Sequence, residues 1–96
     1  MEILPIAASS LNAAATVTAV RAENIVNATT PNYTASEPVY ASQANGGVAV
    51  FSQDVGQPVN VTLEVIGLKS AADQYKAAAA LVKTSAEMDK ALLEIA

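Results

Sequence analysis

The chain has no cysteine, no histidine and no tryptophan among its 96 residues. Those absences remove disulfides, thiolate and imidazole metal ligands, and every nucleophilic relay built on a Ser–His or Cys–His pair. Aromatic residues are confined to Phe51, Tyr33, Tyr40 and Tyr75, too few for a thick independent core. Charge is sparse, at 15% of residues, and its balance is a net −4. The lysines are dispersed rather than clustered, which argues against a phosphate-binding patch and against nucleic acid as a partner. The longest helical segments carry charges, so no membrane span is expected. No basic run precedes the first apolar residues, and Glu2 is acidic, so no cleavable signal peptide is expected.

What the chain does have is small apolar residues. Apolar types make up 52% of the sequence, and many of them are alanine. Alanine buries little area but lets helices approach closely, and a chain this short gains stability from neighbours. The length fits a single domain over residues 1–96. Asn-x-Thr triplets begin at Asn27, Asn32 and Asn60; in an Asn/Thr-rich chain without a secretory signal they read as coincidence.

The spacing predicts a first helix over about 5–27. Pro5 is tolerated in its first turn, where its missing N–H needs no partner. Leu4, Ala8, Leu11, Ala15, Thr18, Ala22 and Ile25 recur at steps of four and three and fall on one stripe, which Val17 and Val20 widen. A second helix is predicted over about 60–95, with Asn60 as its cap. One stripe of it holds Val61, Val65, Leu68, Ala72, Tyr75, Ala79, Val82 and Ala86, is broken by Asp89 and resumes at Leu93. Another holds Ala71, Ala78, Leu81, Ser85, Met88, Leu92 and Ile95. A single partner helix covers one such seam, so Leu81, Met88, Leu92 and Ile95 are expected to be buried between subunits. Gly67, inside this helix, costs roughly 1 kcal/mol relative to alanine if exposed. It is either a site of close backbone approach or a weak spot.

Lys69, Lys76, Lys83 and Lys90 repeat every seven residues, with Asp73, Glu87 and Glu94 four residues after a lysine. The row is either a solvated face or a charge contact between subunits. Between the helices, over about 28–58, lie a loop and a predicted β-hairpin. Its strands run over Val39–Gln43 and Val48–Ser52, joined by a turn at Asn45-Gly46-Gly47, with Tyr40 and Phe51 as anchors on the helices or on a neighbour. The expected fold is mainly α: a long antiparallel, coiled-coil-like helix pair with a small β-hairpin insertion.

No catalytic centre is legible. Glu87 and Asp89 are too close in sequence to face one another, and Asp73 belongs to the lysine pattern. Gly46–Gly47 lacks the Lys-Ser/Thr of a phosphate loop, and no EF-hand spacing is present. The sequence predicts no enzyme, no cofactor and no metal, and instead an extended apolar functional surface.

Two stretches carry a resemblance. In "AENIVNATTPNYTA", Asn24, Ile25, Asn27, Thr30, Pro31 and Tyr33 match the segment after the first helix of bacterial flagellar rod and hook proteins. Asn32 stands where that family has glycine, and asparagine is among the better non-glycine residues at positive φ. In "VNVTLEVIGLKSAADQYKAAAALVKTSAEMDKALLEI", Asn60, Val61, Leu63, Glu64 and Tyr75 match the entry of the family's final helix. Lys83, Thr84, Glu87 and Met88 match its Lys-Thr-x-x-Glu-Met signature, followed by Leu92, Leu93 and Ile95. Thr62 replaces a usual Asp, and Asp73-Gln74 replaces Glu-Ala-like residues.

The chain thus resembles the axial rod and hook family, most closely its compact proximal rod proteins. The resemblance implies a structural subunit of the basal-body rod, exported by the flagellar type III apparatus without a cleaved signal peptide. Its partners are then other copies of itself and neighbouring rod, hook or basal-body proteins. The residues expected at the assembly interface are Leu4, Leu11, Ile25, Leu68, Tyr75, Leu81, Met88, Leu92 and Ile95. Two alternatives stand beside it: a soluble helical adaptor that binds a partner coiled coil, and a reduced hook or distal-rod protein. The second is disfavoured because the chain has no room for a sizeable outer domain.

Overall fold

The structure, a computed structural model, describes residues 3–44 and 46–95. Its elements follow one another as α1 (Ile3–Val26), β1 (Ser36–Ser42), β2 (Val48–Asp54) and α2 (Val61–Ile95). The fold is mainly helical, with two helices and a small antiparallel β-hairpin between them. Both helices lie within two residues of their predicted ends.

α1 is the middle layer. On one side it meets α2, which runs antiparallel to it, so that Arg21 near the end of α1 pairs with Glu64 near the start of α2. On the other side lies the hairpin. Ser9 accepts a hydrogen bond from the Val48 amide at 3.1 Å, and Asn24 bonds both backbone groups of Ser36. The two clasps are about 22 Å apart along the helix. Ser36 to Ser42 covers about 20 Å of strand, so the hairpin lies along α1. This position explains why α1 is apolar nearly all round, with Arg21 and Glu23 its charged residues. Its hydroxyls bond back to their own helix, as Thr18 Oγ1 does to the Ala14 carbonyl at 2.8 Å.

The strands are longer than the sequence predicts and pair Ser36 with Asp54 through Ser42 with Val48. The amides of Ser36 and Val48 both point away from the partner strand, to Asn24 and Ser9. Pro38, two residues after Ser36, therefore occupies a position whose N–H is not used between strands, and the strand continues through it. Pro38 is the buried residue of β1. Tyr40 and Phe51, expected as anchors, are 54% and 61% exposed. They therefore do not anchor the hairpin on the helices, where Pro38 and part of β2 are the less exposed residues; anchoring on a neighbour is untouched by this. Gln43 donates to the Gly47 carbonyl and accepts from the Gly46 amide, which closes the connection. Gly46 has φ +89°, and a Cβ there would come within 3.2 Å of Ile6. Asn45, expected in the same turn, lies outside the described residues.

Asn60 caps α2 as predicted, accepting the Leu63 amide on its side chain at 3.3 Å. The helix then presents Glu64, Ala71, Ala78 and Ser85 to α1, one residue every seven. On α1, between α2 and the hairpin, the buried side chains are Ala7, Ala13, Ala14, Val17, Val20 and Asn24. The seam is made of small side chains, and the two stripes expected to form it do not. Leu4, Ala8 and Ala15 of the α1 stripe are exposed, as are Val61, Val65 and Tyr75 of the first α2 stripe. Ala71, Ala78 and Ser85, which share the second α2 stripe with Leu81, Met88, Leu92 and Ile95, are buried within the chain. Alanine permits close approach of two backbones, and that contact outcompetes the larger but bulkier rows.

Candidate functional site

The described residues hold no cluster of three acidic side chains able to grip a metal ion, and no helix long and apolar enough to cross a membrane. Two features stand out: a buried polar knot, and a surface that carries most of the large apolar side chains.

The knot starts at Asn24. It has no solvent exposure and is the largest wholly buried side chain. Its amide donates to the Ser36 carbonyl at 2.7 Å and to Glu64 Oε2 at 2.9 Å. Its carbonyl oxygen accepts from the Ser36 amide at 3.0 Å and from the Tyr33 hydroxyl at 3.2 Å. All its polar capacity is thus used, as burial demands. Glu64 also receives Arg21 Nη1 at 3.3 Å. The Arg21 side chain lies over Gly67, where a Cβ would stand 2.5 Å from Nε. Gly67 thus makes room for a side chain and not for a close backbone approach. Arg21 Nε is buried there without a hydrogen-bond partner.

The loop after α1 feeds this knot. Asn27 donates its side-chain amide to the Glu23 carbonyl at 2.9 Å and accepts from Thr30 Oγ1 at 3.2 Å. The Tyr33 amide then bonds the Thr30 carbonyl across Pro31 and Asn32. Asn32 has φ 64°, the positive region expected of it. The turn swings the Tyr33 ring back onto Asn24. Partial burial, and then the charges of Glu23, Asp54 and Glu64, hold the Tyr33 phenol above its ordinary pKa of 10.0. Beside it, Asp54 accepts the Gly56 amide and the Thr34 hydroxyl, which lower its pKa below the usual 3.8.

Asn24, Tyr33 and Glu64, drawn from the two stretches that carry the resemblance, therefore meet in one place. Ile25 and Asn27 are half-buried beside it, and Thr30, Pro31 and Asn32 are exposed on the turn. Lys83, Thr84, Glu87 and Met88 lie far along α2, all exposed. Sequence reasoning assigns no role to Arg21, although it is the chain's one arginine and stands near Asn24.

A scan against protein-family models finds no match, and a search of curated proteins finds none either. The likeness to rod proteins rests on the residues quoted above.

The second feature is the surface. α2 is about 52 Å long and α1 about 36 Å, so the end of α2 projects beyond the described start of α1. Leu92, Leu93 and Ile95 on this projection are 57%, 78% and 83% exposed. Leu81, Met88, Tyr75 and Leu4 are also exposed, whereas Leu11, Ile25 and Leu68 are half-buried. Two clefts flank the helix seam. One, of ≈ 370 Å³, lies between Tyr40, Val48, Ala78 and Leu81; the other, of ≈ 410 Å³, between Ala15, Thr18, Ala72 and Tyr75. The second cleft is bounded by the two stripes that the sequence marks most strongly. They form its banks instead of meeting each other.

Proposed function

We propose that the chain is a structural subunit of the bacterial flagellar basal-body rod, packed through its helices against copies of itself and adjacent axial proteins. The observation that carries this reading is the sorting of side chains by size. Alanine and valine, with Pro38, Asn24, Glu64 and Ser85, make the interior, while most of the large apolar residues face outward. The accessible surface is 6444 Å², against about 5,200 Å² for a compact chain of this mass. The excess exceeds the roughly 800 Å² that each partner contributes to a standard interface. Convergence of Asn24, Tyr33 and Glu64 adds support, because the two resembling stretches then act as one unit. The reading includes export through the flagellar type III apparatus, residence outside the cytoplasm, and no catalytic step.

The test uses Leu81→Asp and Leu92→Asp. Both residues are exposed in the single chain, so the variants are expected to be exported and to keep their helicity. They are expected to be missing from purified basal bodies, since a charge in a dry contact is costly. Normal incorporation of both would overturn the proposed contact. Absence of the wild-type chain from basal bodies, together with a finite soluble complex in its place, would favour the adaptor reading instead.

A further inference from the structure

The C-terminal half of α2 carries a charged row that makes no use of its charges within the chain. Lys76, Lys83, Glu87, Lys90 and Glu94 follow one another at steps of seven, four and three, and all are exposed. Ala80, also exposed, fills the step between the first two lysines without a charge. Among the described residues the ion pairs are Arg21–Glu64 and Lys69–Asp73, so these five charges are not ion-paired. Beside the row runs an apolar one: Tyr75, Val82, Ala86 and Leu93.

We infer that the free chain forms an antiparallel dimer through this half of α2, with Lys76 and Lys83 of each copy facing Glu94 and Glu87 of the other. The order of charges selects the direction. Laid parallel and in register, every charge would meet its own kind. Laid antiparallel about residue 85, Lys76 falls opposite Glu94, Lys83 opposite Glu87, and Lys90 opposite the uncharged Ala80. No like charges fall directly opposite one another; Lys90 lies between Lys76 and Lys83 of the other copy, where its neighbour Asp89 offsets the repulsion.

The apolar row gives the same centre independently. Tyr75 falls opposite Leu93, and Val82 opposite Ala86, both pairs centred on residue 84. The two centres agree to about 1.5 Å along the helix. Asp89, which interrupts the apolar row, comes to lie between Lys76 and Lys83 of the other copy. The overlap includes the projection of α2, so Leu93 is covered by a second chain. The pairing is self-limiting, because a two-fold contact closes on itself. It goes beyond the rod reading and does not depend on it. A polar tube holds its subunits in one direction, so these dimers separate before assembly.

The purified full-length chain, mixed from two isotopic preparations, is treated with a carbodiimide, which joins a lysine to a carboxylate in direct contact. Lys76 and Glu94 are about 27 Å apart along one helix and cannot be linked within it. A Lys76–Glu94 link between isotopically distinct copies is expected, with a dimer in analytical ultracentrifugation. Lys83→Glu is expected to weaken the dimer about tenfold, and addition of Glu87→Lys to restore it. Circular dichroism shows whether the helices persist. A monomer up to the solubility limit, links confined to near neighbours along α2, or a dimer indifferent to both reversals would overturn the inference. A monomer that still enters basal bodies removes the dimer alone. A dimer never found in basal bodies removes the rod reading alone.

Discussion

Gly67 carries no side chain because Arg21 occupies the place of one. On propensity alone, Gly67→Ala stabilises a helix by roughly 1 kcal/mol. Here the new Cβ meets the side chain of Arg21, and displacing it disturbs its pairing with Glu64. A buried carboxylate without its cation costs more than the helix gains. The expected outcome in urea unfolding is a net loss of about 1 kcal/mol; an alanine variant more stable than wild type would show that the slot has no function. Tyr33 makes a second residue-scale prediction. Its folded pKa lies above 10.0, so the contribution of its hydroxyl is complete below pH 10 and is lost as pH rises through the folded value. Titration from neutral to strongly alkaline pH should therefore lower stability in wild type. Tyr33→Phe should be less stable at neutral pH and insensitive to this step. An identical alkaline loss in both proteins would assign it to another group.

At the scale of elements, the loop after α1 turns on the backbone of Asn32. With φ at 64°, asparagine fits and glycine fits better, whereas a β-branched residue is strained. Asn32→Val should lower stability by about 1–3 kcal/mol, and Asn32→Gly should be close to neutral. Equal thermal midpoints for the two would refute the turn as the cause. This turn was legible because Thr30, Pro31 and Asn32 are specific turn residues. The helix ends were legible for the same reason, with Asn60 supplying a cap. The faces of the helices were not. A stripe drawn through Leu4, Leu11 and Ile25 follows the largest apolar side chains and does not say which row the partner helix covers. In this chain closeness of approach decides instead, and Ala7, Ala14, Ala71 and Ala78 take the interior. The Arg21–Glu64–Asn24 cluster was equally hidden. Glu64 is some 40 residues from the other two along the chain, and no local periodicity links them.

The molecule as a whole is elongated. The radius of gyration is 16.8 Å, against about 12.5 Å for a compact chain of this length. Its longest dimension is 62 Å and its shortest 14 Å. Stability should accordingly rise with protein concentration, because association stabilises the folded form by mass action. Thermal midpoints measured over a wide dilution range check this directly.

The alanine seam has a further consequence. Ala71, Ala78 and Ser85 are nearly interchangeable, so α2 can slide past α1 by one heptad and find almost the same fit. Glu64 with its arginine, and the gap at Gly67, have no replica seven residues on. They act as the single odd tooth in an otherwise uniform ratchet, and they set how far α2 protrudes. With Arg21→Ala and Glu64→Ala together, spin labels near the start of α1 and the end of α2 should report two separations, about 10 Å apart, in place of one. A single unchanged separation would mean that the hairpin or the turn, and not the buried ion pair, holds the two helices to length.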